Sequence, residues 1–508
     1  MPIGRPRIPG TEEERAEARR AKVRANVQAF RRRQKEKKLA GLADSPRSNS
    51  SKDHSPHNAV LEVEYLQQEA DTSPTFLSLE PISREPFVTS EETEPWLWAI
   101  PSEFGAKIVG TTYQDALINA LQDKYLPSQT NLERIQYEPK KRFSICCSTW
   151  ITSATLEMGR PETKVLMEAL LAASLAIIGR DRNDEDMTLH AAYVQTRALQ
   201  KLRFALTSYI EGDRTICATM LSLTALTCAM SELIANQSWD NFNRHLFGVG
   251  ALIFHGGVES LSTQSAQEHF YGYRAMQAPF LFMNRQRAFL SSPEWIDFPW
   301  KKDLELAQHP LHSVLDIALK ILPEIVKQDM PKKWKLSSLE ERLQKAWVAV
   351  EELDEWESRL RSQHQGIIYN EISATWKGLY DHCLEFKVLS TAIAFSIYTA
   401  VRIHVAALIA GISEEILSRD SSADVYPESA VLEALRWSRM ACQCLEFFHT
   451  GEMKFTGRIV TLWPLETAWE FFARAQIEHS MDVSTEMAWC RSTAERLARM
   501  GIPPFQWR

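Results

Sequence analysis

From about Tyr113 to the end of the chain, apolar residues recur three and four positions apart, the spacing of helices that each bury one face. Val165 to Ile178 is a run rich in Ala and Leu that predicts a buried helix, with Gly179 as its stop. Asp186 to Leu206 predicts a second helix whose apolar positions are Leu189, Tyr193, Leu199, Leu202 and Leu206. Ile216 to Ile234 and Leu389 to Ile409 are almost wholly apolar and read as central helices of a packed body. Neither reads as a membrane span: the first is short and interrupted by Ser and Thr, and the second contains Arg402 and His404. With no sustained period-two alternation and no Asn-Gly hairpin, the expected fold class is all-α. Nearly 400 residues are enough for one large core or two fused helical layers.

Before residue 106 the pattern changes twice. Residues 43–58, ADSPRSNSSKDHSPHN, hold almost no large apolar side chain and cannot offset the entropy of ordering a chain. From Leu61 to Glu103, carboxylates such as Glu62, Glu64, Glu91 and Glu92 interleave with Leu66, Phe76, Trp96 and Trp98. Such a stretch reads either as a coactivator-recruiting segment or as a linker whose aromatics dock on the neighbouring domain. Residues 12–39 contain no Gly or Pro and are dominated by good helix formers. Thr11 and Glu14 have capping-box spacing at their start, after a Pro9-Gly10 turn. The expected organisation is a basic helix (1–42), a disordered linker (43–105) and a large multi-helix regulatory domain (106–508).

Charge sharpens that division. Residues 1–41 carry thirteen Lys/Arg and five Glu, a net charge of +8, so the other 467 residues carry −15 to give the chain its −7. A cationic arm on an acidic body points to a polyanion partner for the arm. Dense like charge should fray the free helix, and phosphates would neutralise it, so folding on binding is expected.

Within the arm, RRAKVRANVQAFRRRQ (19–34) resembles the basic region of fungal basic-leucine-zipper proteins, matching at Arg19, Arg20, Ala21, Arg24, Ala25, Ala29, Phe30, Arg31 and Arg33. The resemblance implies a helix in the DNA major groove, with phosphate and base contacts from Arg19, Arg20, Lys22, Arg24, Asn26, Arg31, Arg32 and Arg33. The family's base-reading Asn falls at Val23 and its usual Gln at Val27, neither of which offers hydrogen bonds to a base edge. Asn26, one turn away, is the replacement candidate. The zipper is missing, since its leucine positions are Gly41, Ser48, Ser55 and Glu62, and Pro46 and Pro56 break the helix. Arg31, Arg32, Arg33, Lys35, Lys37 and Lys38 also fit a nuclear-localisation signal, so import without base reading stays open.

The body has a second resemblance. An Ala/Leu helix ending in Gly, Tyr193-x5-Leu199-x2-Leu202, an apolar third helix and Trp239-x5-His245-x2-Gly248-x-Gly250-Ala251 follow in an order similar to the fungal-specific transcription factor domain. Ala288 to Leu290 leading to Trp295 and Pro299-Trp300, then Trp463-Pro464-Leu465, Ala473, Trp489-Cys490 and Gly501, continue it. The resemblance implies a nuclear regulator of metabolic or secondary-metabolite genes, without catalysis. Proteins of that family usually begin with a six-cysteine binuclear zinc cluster, whereas residues 1–145 contain no cysteine. The basic arm stands in its place.

Little else carries chemistry. Cys146, Cys147, Cys217, Cys228, Cys383, Cys442, Cys444 and Cys490 form no Cys-x2-Cys pair, and most sit in apolar helical context as small hydrophobes. The Pro- and Arg-rich N-terminus lacks a signal-peptide pattern, so a reducing nucleocytoplasmic compartment is expected, and the nucleus in particular. Asp181, Asp184, Glu185 and Asp186 resemble faintly the magnesium-binding carboxylates of terpene cyclases. They also fit the acidic first turn of a new helix, and no second magnesium motif follows. His245 and His255 lack a carboxylate or Cys neighbour in sequence and read as core or interhelical residues. No Walker loop, Gly-x-Ser-x-Gly elbow or His-Glu-x-x-His motif occurs. No residue is assigned a catalytic, metal or cofactor role. The expected partners are double-stranded DNA, a second copy through the body, and co-regulator proteins, with no membrane. A nuclear co-regulator that does not read DNA is the alternative, and an all-α terpene-cyclase-like enzyme the remote one.

Overall fold

Side-chain and backbone caps set the helix limits in the N-terminal half of the body. The computed structural model describes residues 111–127, 149–157, 163–212, 217–236, 238–297, 309–328, 334–376 and 379–502. The arm and linker, with every residue expected to contact DNA or direct nuclear import, lie outside the described residues. The first helices are α1 (Thr111–Tyr125), α2 (Thr149–Glu157) and α3 (Lys164–Arg182). Contrary to expectation, Gly179 does not stop α3; the helix runs on to Arg182 and ends at Asn183, which adopts a left-handed φ of 53°. Gly179 is a packing glycine instead: a Cβ there would lie 2.9 Å from the Thr188 hydroxyl of the next helix. That helix, α4 (Glu185–Ile210), begins where the Asp184 carboxylate accepts from the Met187 N–H at 2.9 Å.

The face α4 buries matches the expected one at Leu202, with Leu199 and Leu206 packed partly buried against the core, and differs from it at Leu189 and Tyr193. Met187, Ala191, Val194, Gln195, Ala198 and Leu202 point inward, while Leu189 and Tyr193 face solvent. Small Ala residues at 191 and 198 let α4 lie close to α3, and large side chains on the flank are left outside. Gln195 is buried but satisfied, donating to the Cys228 carbonyl at 3.0 Å. The apolar helix expected around Ile216 to Ile234 is α5 (Ala218–Asn236), buried between α3 and α6 (Trp239–Gly256). Ser238 caps α6 through the Asn241 N–H.

Helix α7 (Gln264–Met283) joins the two halves of the body, packing on α2, on α9 and on α14. After it come a short 3-10 turn (Phe289–Ser291), α8 (Pro293–Asp297), α9 (Pro310–Gln328) and α10 (Leu336–Gln363). The C-terminal half is organised around α11 (Leu389–Arg419), about 46 Å long and hydrophobic on all sides. It is wrapped by α9, α10, α12 (Pro427–Phe448) and α14 (Leu462–Glu478), with α13 (Lys454–Val460) and α15 (Ser484–Arg499) closing the layer. Helices α5 and α11 are long and apolar enough to cross a membrane, and both are mostly buried inside this body. Arg402 on α11 stays charged by reaching out of the core: it donates to the Tyr398 hydroxyl at 2.9 Å and pairs with Asp354.

Among the described residues there are fifteen α-helices and one two-stranded sheet, so the fold is all-α. The sheet was not expected from sequence. Strands β1 (Tyr369–Ser373) and β2 (His382–Phe386) pair antiparallel, Tyr369 opposite Phe386 and Ser373 opposite His382. Beyond β1 the chain crosses α12, where the Thr375 and Trp376 N–H groups donate to the Glu446 carboxylate at 2.7 and 3.2 Å. Trp376 then packs edge-on to His449, with the Arg496 guanidinium 4.2 Å from its ring centre.

Candidate functional site

An apolar cavity of about 50 Å³ lies where the two halves of the body meet. Its inner wall comes from Met230 and Leu233 of α5, Phe242 of α6, Met276 of α7, Ile393 and Ile397 of α11, and Trp463 of α14. Half-buried Trp239, Pro279, Phe280, Met283 and Ile459 stand at its outer side. Trp239, Phe242 and Phe280 form a mutual ring cluster with centroids 5.3 to 6.0 Å apart. Behind Trp463 sit Phe282, at 5.0 Å, and His404, whose Nε2 shares a hydrogen bond of 3.3 Å with Thr467. Burial holds the His404 imidazole down to about 4, so this backing is neutral at pH 7.

Local sequence explains the opening. Pro279 within α7 has no N–H to give the Ala275 carbonyl, and both residues line the cavity. Pro464 falls in the first turn of α14, where its missing N–H costs no hydrogen bond, and it follows directly on Trp463. Trp463 is 2% exposed, and its indole N–H has no hydrogen-bond partner. In the sequence, Trp239 and Trp463 stood out only as parts of the pattern similar to the fungal-specific transcription factor domain, and the methionines were not singled out. Nothing in their spacing separates a wall that meets its neighbours from one that leaves a gap.

The remaining candidates resolve as structure. Asp184 is a helix cap, and Asp181 pairs with Lys124 across the surface at 2.6 Å. His245 lies within reach of Glu232, absent from its sequence neighbourhood; burial lowers its pKa and the Glu232 charge raises it. His255 packs edge-on to Tyr209. Of the described cysteines, Cys228, Cys383, Cys442, Cys444 and Cys490 are buried, whereas Cys217, just before α5, is exposed. Cys146 and Cys147 lie outside the described residues. The Cys442 and Cys490 sulfurs approach to 3.9 Å, and their hydrogen bond and burial push the Cys490 thiol well above its usual value. Ser222 Oγ and His269 Nε2 meet at 2.5 Å, both buried, but the other imidazole nitrogen has no orienting partner as a nucleophile–base pair requires. Among the described residues no three His, Cys, Asp or Glu converge as metal ligands.

Comparison with known proteins returns no match: no family model fits the chain, and neither a curated protein nor a solved structure is similar to it.

Proposed function

We propose that this chain is a DNA-binding transcription regulator in which residues 1–42 contact DNA and the helical body holds a second copy and receives regulation. The observation that carries the reading is the segregation of charge, +8 on the first 41 residues against −15 on the rest. Such an arm binds phosphate, while the acidic body stays clear of it. The similarity of residues 19–34 to a fungal basic region, and of the body to the fungal-specific transcription factor domain, supports nuclear control of a metabolic or secondary-metabolite gene set. With no zipper, pairing through the body would raise the effective concentration of two weak arms.

Support for that pairing comes from the outward face of α4. Leu189 is 72% exposed and Phe204 76%, with Tyr193 between them on the same side of the helix. The N-terminal end of α4 is acidic, with Glu185 and Asp186, and its second half is basic, with Arg197, Lys201 and Arg203. A second α4 laid antiparallel, crossing at Thr196 and Arg197, sets Leu189 of each copy against Phe204 of the other. It also brings each acidic end toward the other's Arg203; a parallel arrangement would set like charges together.

Selection of the full chain on a random-sequence DNA library, with Arg31, Arg32 and Arg33 changed to Ala as control, tests the reading. An enriched motif, lost in the triple variant, is the expected result. Val23 and Val27 favour a second reading, a nuclear co-regulator that does not read bases. Binding without enrichment that falls steeply with salt would leave only phosphate contact and favour that one instead.

A further inference from the structure

We propose that Cys442 and Cys490 form a redox pair, which hydrogen peroxide converts into a disulfide joining α12 to α15. Their sulfurs already meet at 3.9 Å and share a hydrogen bond. One turn earlier on the same two helices, the Arg439 guanidinium donates twice to one Glu486 oxygen, at 3.0 and 2.7 Å. Residues 439 and 442 are three apart and 486 and 490 four apart, so each helix presents its two groups on one face. Two successive ties fix how α12 and α15 are turned toward each other, and the thiols face as a result. Cys444 lies two positions along α12, about 200° round the helix, and points away from this contact. A disulfide needs the sulfurs at about 2.0 Å, so they have roughly 2 Å left to close.

The chemistry balances with the peroxide alone. Its hydrogen bond to Cys442, and burial, make Cys490 hold its proton, so Cys442 is the sulfur that attacks. As the O–O bond breaks, Cys442 becomes a sulfenic acid, and its proton turns the departing hydroxide into water. The Cys490 sulfur then displaces the sulfenic hydroxyl, which leaves with the Cys490 proton as a second water. Two electrons pass from the sulfurs to the peroxide. Both thiols are buried, and a buried thiol stays inert until something uncovers it. Tyr380, from the segment between β1 and β2, lies beside both thiols and is half-buried, packed edge-on to half-buried Trp489 at 5.5 Å. Displacing these rings admits the peroxide, so the pair answers sustained rather than passing exposure. The link would close the stretch of chain that holds α13 and α14. This inference goes beyond the DNA reading, since a chain that ignores DNA can still form the disulfide.

The test exposes the reduced full chain to millimolar hydrogen peroxide in buffer, blocks remaining thiols with N-ethylmaleimide and maps the peptides by mass spectrometry. The expected product is one peptide pair joined between Cys442 and Cys490 of a single chain and separated again by dithiothreitol. Fragment ions should place the link at Cys442 rather than Cys444. Exposed Cys217 should be consumed first and marks the dose. Cys442→Ala should lose the link, with its urea midpoint reporting whether it has folded. Should that variant fail to fold, the wild-type fragment ions decide alone. The proposal is overturned if the link is absent when peroxide is renewed well after Cys217 is spent, if it forms only in urea, or if Cys490 joins Cys444 instead.

Discussion

Gly250 sits on α6 where the Tyr273 hydroxyl of α7 comes down onto the backbone, so an added Cβ would overlap that oxygen. Tyr273 is itself buried and stacked on Phe289 with ring planes 7° apart, which leaves the ring little room to retreat. Gly250→Ala should therefore destabilise the chain by about 1–3 kcal/mol, the usual cost of overpacking a filled core. Adding Tyr273→Phe should recover most of it, because the nearest ring carbon would then lie 3.2 Å away and needs only a small shift. Urea unfolding of the two variants measures both, and a double variant no more stable than Gly250→Ala would rule out the hydroxyl as the cause. Gly250 was legible in sequence as part of a Gly-x-Gly-Ala pattern, but its reason was not, since Tyr273 approaches from a different helix. Gly179 was misjudged on the same ground: a glycine late in an apolar run resembles a terminator, and only the arrival of Thr188 explains it.

Among the elements, the long apolar helices were the most legible. Helices α5 and α11 are hydrophobic all round, a composition that allows only a central place. Amphipathic α4 was harder, because its sequence offers two apolar faces, one of Ala191, Val194 and Ala198 and one of Leu189, Tyr193 and Phe204. Side-chain size favours the second, while close packing on α3 requires the first. The hairpin of β1 and β2 escaped notice because neither YNEIS nor HCLEF alternates apolar with polar residues. The outward face of α4 carries a prediction. Sedimentation of the full chain at micromolar concentration should give a dimer, and Leu189→Glu with Phe204→Glu should shift it to monomer without lowering the urea midpoint. A monomeric wild type that the same changes destabilise would mean that the face is covered by another segment of this chain. A monomer of unchanged stability would leave the face uncovered.

For the molecule as a whole, buried imidazoles set the response to acid. Burial holds His269 and His404 down to about 4 and His449 to about 3, with Arg496 and Arg458 adding to the effect at His449. Each returns to about 6.5 when the chain unfolds. Between those values the unfolded chain binds more protons than the folded one, so stability is lost as pH falls. Each imidazole contributes a slope of about 1.4 kcal/mol per pH unit in its own window. The urea midpoint should hold above pH 7 and drop steadily from pH 6.5 toward pH 4, with His404→Gln flattening the curve. A midpoint unchanged between pH 7 and pH 5 would contradict this. The distant ties of the body bear on how it is made. Arg180 of α3 donates to the Ile234 carbonyl at 2.9 Å and the Gly501 carbonyl at 2.6 Å, and the Tyr125 carbonyl of α1 accepts from Thr456 at 2.7 Å. During synthesis at about 5–20 residues per second, the Thr456 and Gly501 partners leave the ribosome tens of seconds after α1 and α3. The turn at Gly501 and helix α13 are therefore the last parts that can be tied to the N-terminal helices.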